Sequence, residues 1–240
     1  MNKKLLCILL SLLLVFAAGC AGVFAVAPTP APTIEPTPEP TPEPTPIELW
    51  RERILARSNM EYEGLAGYWG AMTDGYFGES VAAVLKLEPA VSASYDEIIA
   101  QKRAEYAERY GEGWRFEILE AKSAALSEKN ALDFSAELQE LYESVCVLTA
   151  ATEGWVDYDW QLFADSHGCS VEDARAAVEA YRAIGEKCRE VTVSGAFEVD
   201  VRFGLGGAEL EERYAVYDLG GYFVSEELID STVALINLAY

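Results

Sequence analysis

Residues 155–160 read Trp-Val-Asp-Tyr-Asp-Trp, the densest mixture of aromatic and acidic side chains in the chain. Aromatic planes beside carboxylates are what a sugar ring or a basic peptide would contact, so Trp155, Asp157, Tyr158, Asp159 and Trp160 are the candidate binding residues. Alternating aspartates also suit a calcium loop, but the EF-hand order with its central glycine is missing. Packing at the rim of a helical region accounts for the same residues without any ligand.

A second group is chemically reactive in principle. His167 stands two residues from Cys169, with Asp165 nearby. A thiol nucleophile needs its base close in space, not in sequence, and a polar turn before a helix explains these residues equally well. Cys146, Cys169 and Cys188 are the cysteines left once the N-terminal pair is set aside; an odd count allows one disulfide and one spare thiol. If residues 171–186 form one helix, Cys169 and Cys188 lie roughly 25 Å apart at about 1.5 Å per residue, which leaves Cys146 with Cys169 as the better candidate pair. Buried free thiols are the alternative. Residues 162–170 also have the outline of a helix-turn-helix turn, but Glu172, Asp173 and Glu179 would repel phosphate, and an ordinary helical hairpin fits better.

Familiar catalytic signatures are missing: no GxSxG, SxxK, P-loop or HExxH occurs. With 40 acidic residues, choosing two as a glycosidase pair would be arbitrary. No catalytic residue, metal ligand or cofactor is therefore assigned. The 240 residues carry a net charge of −22 and one histidine. Such acidity argues against nucleic acid, which needs clustered lysine and arginine. A 51% apolar content excludes a disordered chain and fits one sizeable domain.

The N-terminus carries an address. Lys3 and Lys4 precede an apolar run over residues 5–18, the length of a signal-peptide core. It ends Ala17-Ala18-Gly19-Cys20, which resembles the bacterial lipobox, where the cysteine is lipidated and becomes the first residue. That resemblance implies a signal peptide over residues 1–19, lipidation of Cys20 and a lipid-anchored position on the extracytoplasmic face of the cell membrane. Loss of Lys3 and Lys4 would take the net charge from −22 to about −24. Two alternatives stay open: residues 5–27 as an uncleaved anchor, and ordinary cleavage after Ala25-Val26-Ala27, which Pro28 disfavours. Either still places the remainder outside the cytoplasm. Residues 28–46 follow, with Glu-Pro-Thr-Pro three times, a polyproline spacer of roughly 60 Å at about 3.1 Å per residue.

The elements that would position the candidate residues lie in residues 47–240. Leu65, Tyr68, Trp69 and Met72 predict a helix over 61–72, and a second is expected over 79–87, stopped before Pro89. Ser94-Tyr95-Asp96-Glu97 has the form of a capping box and predicts a helix from there to Tyr110. Trp114, Phe116 and Ile118 alternate like a half-buried strand. Leu138, Leu141, Val145 and Leu148 predict one helix; Val171, Ala174, Val178 and Tyr181 predict another, with Ser170 as N-cap. Val191, Val193, Phe197, Val199, Val201 and Phe203 share one face of a strand with polar residues on the other, and Gly195 marks an expected bend or bulge. Gly204-Leu205-Gly206-Gly207 and Gly220-Gly221 turn the chain into an antiparallel meander.

Helices, a strand, more helices and a C-terminal meander, ending in "EERYAVYDLGGYFVSEELID", resemble the nuclear-transport-factor-two-like (cystatin-like cone) domains of exported lipoproteins. The resemblance covers about residues 60–226 as a pattern of elements. It implies an α+β fold in which N-terminal helices and a helical insertion near 150–188 pack on a curved antiparallel sheet, a single domain after a signal peptide and Pro-rich linker. None of that superfamily's catalytic constellations matches residues here. The expected function is a surface-tethered lipoprotein module that binds a protein, peptide or small-molecule ligand without catalysis; the alternative is a cone-pocket enzyme of isomerase or dehydratase type. The expected contacts are the membrane, through the lipid, and that ligand, with no nucleic acid.

Overall fold

Pro46 opens the first element because its missing N–H is no loss at the first helical position. The Glu48 carboxylate reaches back to accept from the Thr45 N–H at 2.6 Å, satisfying a donor the helix cannot. The computed structural model describes residues 45–239, without the side chains of 92–94. Cys20, the expected signal peptide over residues 1–19 and nearly all of the Pro-rich stretch lie outside the described residues.

Helix α1 spans Pro46–Ser58 and buries Trp50 and Ile54, one turn apart. Helix α2, Gly64–Met72, buries the expected stripe of Leu65, Tyr68, Trp69 and Met72. It starts three residues later than the spacing predicts, because Glu63 is extended and Gly64 sits at φ 63°. Helix α3, Ser80–Val84, tightens into a 3₁₀ turn at Leu85–Leu87 and stops before Pro89, as expected.

The next helix corrects the expected capping box. Helix α4 runs Pro89–Tyr110, so residues 94–97 lie within it. Proline at its first position supplies the helical φ, and Val91, Tyr95 and Ile99, four residues apart, bury one continuous face that carries the helix through the would-be cap. Gly111 at φ 95° ends it.

Strand β1 is Glu117–Ala125, later and longer than the alternation at 114–118 suggests. Trp114 and Phe116 sit ahead of it as packing residues around Tyr106. Helix α5, Glu128–Ala150, buries Leu138, Leu141, Val145 and Leu148 as predicted, with Phe134 ahead of them. Helices α6, Asp157–His167, and α7, Val171–Glu190, form the helical region expected between the strands. Gly168 at φ 67° joins them, with Cys169 N–H donating to the Ala164 carbonyl and Gly168 N–H to that of Asp165, a Schellman closure. Ser170 caps α7 by accepting from the Asp173 N–H at 3.0 Å.

Strands β2, Gly195–Leu205, β3, Ala208–Asp218, and β4, Phe223–Ser225, complete the meander. The sheet order is β1-β2-β3-β4, and every neighbouring pair is antiparallel. Gly206 and Gly207, at φ 56° and 86°, make the two-residue turn whose twist matches the strands. Gly195 begins β2 without a bulge; the irregularity falls in β1 between Ile118 and Glu120. Val191 and Val193 belong to the connection, where Ser194 N–H is taken by the Asp218 carbonyl. Helix α8, Glu227–Ile236, then leads to a 3₁₀ turn at Asn237–Ala239.

The fold is α+β. One sheet face, with Val199, Val201, Phe203, Tyr214 and Val216, is covered by Trp50 and Ile54 of α1. The opposite face meets α5 at the end of the sheet that holds Ala196 of β2 and Tyr217 of β3, where Phe134 stacks on Tyr217 at 3.8 Å. Its remainder is polar: Arg202 pairs with Glu120 and Glu209, and Arg213 with Asp200 and Glu198. Among the described residues no helix is long and apolar enough to cross a membrane.

Candidate functional site

Three helix beginnings converge on the molecule's helical side. Glu63, Gly64, Leu65 and Ala66 come from the start of α2, Pro89 from the start of α4, and Gly168, Cys169, Ser170 and Asp173 from the turn into α7. With Ala82, Leu85 and Lys86 they line an open cleft of about 630 Å³. Leu65 and Leu85 are buried and form an apolar floor. That size and apolar character fit a small-ligand or peptide site.

The rim is charged and fixed. Lys86 Nζ pairs with Asp173 Oδ1 at 2.8 Å, linking the 3₁₀ turn after α3 to the first turn of α7. Asp173 Oδ2 also accepts from the Ser170 hydroxyl at 2.7 Å. These contacts hold the Asp173 carboxyl below the usual carboxylate range and the Lys86 ammonium above its ordinary value. Both groups therefore stay charged at neutral pH, and the pair is a polar anchor rather than a proton donor.

The thiol in the cleft is unsuited to attack. Burial, and then the nearby Asp173 charge, push the Cys169 thiol up from its ordinary value. A neutral thiol is a poor nucleophile. His167 lies one helical turn beyond Phe163, with its ring against that phenyl ring at 4.6 Å. The one thiol lining the cleft is therefore not activated as a nucleophile.

The expected Cys146–Cys169 bridge is not formed: both thiols are free and half-buried, and Cys188 is free and buried. Helices α5 and α7 run antiparallel, with Val145 facing Gly185. Cys146 is thus level with the far part of α7, while Cys169 precedes its start, about 24 Å away along the helix axis. A disulfide needs Cα atoms within about 7 Å.

The acidic aromatic stretch is only partly a surface. Trp160 is buried and meets Trp155 edge-on at 5.0 Å, and Trp155 also contacts Phe163. Arg175 lies over the Trp160 ring at 4.9 Å and pairs with Asp157 at 3.0 Å. Asp159 closes the start of α6 by accepting from the Val156 N–H at 3.0 Å. Trp160 is spent on packing, Trp155 is half-buried against it and Tyr158 is exposed. No group of three or more metal-ligating side chains stands together among the described residues.

Sequence reasoning missed most of the cleft. Pro89 was visible as a helix boundary and residues 162–170 as the turn of a helical hairpin, yet nothing in the sequence joins residues 63–66 to 168–173. Comparison of the chain with known protein families, with curated proteins and with solved structures gives no match.

Proposed function

We propose that this chain is an exported lipoprotein, anchored through Cys20 and held off the membrane by its Pro-rich spacer, whose folded domain binds a ligand in the helical cleft without catalysing a reaction. The observation that carries the binding role is the cleft itself: an apolar floor, a Lys86–Asp173 ion pair at its rim and a protonated thiol. The enzyme alternative would use the interior of the cone. That sheet face is filled by Trp50 and Ile54, both fully buried, which supports the binding role over isomerase or dehydratase chemistry.

Two measurements test this reading. Cys20→Ser should abolish lipidation, seen as loss of the acyl mass on the membrane-associated chain; a chain of unchanged mass would refute the anchor. Thermal unfolding with a panel of wall fragments, sugars, peptides and metabolites should show a stabilising ligand. At about 100 times its Kd such a ligand adds about 2.7 kcal/mol, a shift of several degrees.

A further inference from the structure

Helix α6 buries one side and presents another that none of the described residues covers. Tyr158 and Leu162, one turn apart, are 73% and 59% exposed, and Val156 at the helix start is 62% exposed. Large apolar side chains gathered this way cost hydration unless a partner covers them. The base beneath is rigid, because Trp160 and Ala164 on the inner side are buried. The surrounding charge is mainly acidic: Glu153, Asp157 and Asp165 are all exposed, α6 itself holds three aspartates and no lysine or arginine, and Arg175 of α7 pairs with Asp157 alone of the three exposed acids.

We infer that the outer face of α6 is a docking surface for a protein partner that presents a basic, amphipathic segment. An apolar side chain of the partner fits between Tyr158 and Leu162, and its lysines or arginines meet Asp157 and Asp165. A tyrosine at the centre of a small apolar patch is the usual anchor of such contacts. A second copy of this chain is a poor occupant, since it would bring acid against acid on a molecule of net charge −22. One helix face is small, so the contact is transient and salt-sensitive. This surface is separate from the cleft and stands or falls independently of it.

The test uses the full chain in neutral-lipid nanodiscs, with binding to empty discs subtracted, and a fluorescent amphipathic peptide of leucine and lysine as probe. The wild type should bind it saturably, and the leucine–glutamate counterpart should not bind. Tyr158→Ser with Leu162→Ser should weaken binding at least about tenfold, while Leu132→Ser, exposed near the start of α5, should leave it unchanged. Asp165→Lys reverses an exposed charge, at the loss of one surface hydrogen bond from Gln161, and should also weaken it, so the test survives any misfolding of the double variant. Wild-type affinity in the folded Tyr158→Ser/Leu162→Ser protein and in Asp165→Lys, or no saturable binding of the lysine peptide, overturns the inference.

Discussion

Asp74 and Ser225 are 151 residues apart and joined twice: Asp74 Oδ2 accepts from the Ser225 N–H at 2.6 Å and from its hydroxyl at 2.9 Å. Asp74 is 1% exposed and Ser225 fully buried. The Asp74 carbonyl also accepts from the Tyr222 hydroxyl at 2.6 Å. One residue thus ties the loop after α2 to the end of the meander and the start of α8. Around it, Arg53 donates to the Phe223 carbonyl and Arg57 pairs with Glu227, drawing α1 to the same junction.

Asp74→Ala should therefore destabilise the protein by about 3 kcal/mol, since it strands the buried Ser225 N–H and hydroxyl. Asp74→Asn keeps an acceptor and tolerates the backbone φ of 51°, so it should cost less. Chemical denaturation of the two variants checks the order. A smaller loss for alanine than for asparagine would mean that the junction is held by packing alone.

Gly185 is placed where a side chain has no room. A Cβ there would meet Val145 Cγ1 at 2.9 Å and its Cβ at 3.2 Å. Gly185→Ala gains about 1 kcal/mol of helix propensity but incurs about 1–3 kcal/mol of overpacking. The expected net result is a lower Tm, recovered in part by adding Val145→Ala. A Gly185→Ala protein more stable than wild type would contradict the tight α5–α7 contact.

The thiols should separate by reactivity. Burial pushes the Cys188 thiol up to about 12, and Cys188 is 3% exposed. Alkylation of the native protein near neutral pH should spare Cys188 and label it only after unfolding, as peptide mass mapping would show. Labelling at the rate of a free thiol would mean that α7 opens readily.

Partial desolvation, reinforced by Glu227, Asp230 and Glu137 and opposed by a backbone hydrogen bond from Ala215, raises the carboxyl of the largely exposed Glu226 above its ordinary value. A carboxyl raised in the folded state binds more protons folded than unfolded. Its destabilising effect is therefore full above the folded value and vanishes below the ordinary carboxylate range. Glu226→Gln should raise Tm at neutral pH and lose that advantage as the pH falls to about 4. An advantage that persists at low pH would show that the gain came from packing rather than charge.

The regular parts of this fold were written locally. The apolar stripes of α5 and α7, the Ser170 cap and the glycine pairs at 206–207 and 220–221 each declare themselves within a few residues. Helix α1 did not, because only Trp50 and Ile54 of its thirteen residues are buried. Helix α8 was hidden behind the strand pattern before it, although Leu228, Thr232, Leu235 and Ile236 share its inner side. The α4 start was misplaced since Pro89 outcompetes a plausible cap five residues on. Of the acidic aromatic stretch, the residue types were legible, but not that Trp155 and Trp160 would face one another. The cleft depends on where α2, α4 and α7 begin relative to each other, a relation set by packing across more than a hundred residues.

The central claim is that the helical cleft is the ligand site, and blocking it tests that most directly. Ala82 is exposed on α3 and lines the cleft, so Ala82→Trp should fill the space while leaving the core intact. The measurement is the thermal shift produced by a stabilising ligand in the wild type and in Ala82→Trp, at equal ligand concentration. The predicted result is a shift of several degrees in the wild type and none in the variant, with the two unliganded Tm values close. An equal shift in both proteins, or no shift in the wild type with any ligand of the panel, would contradict it.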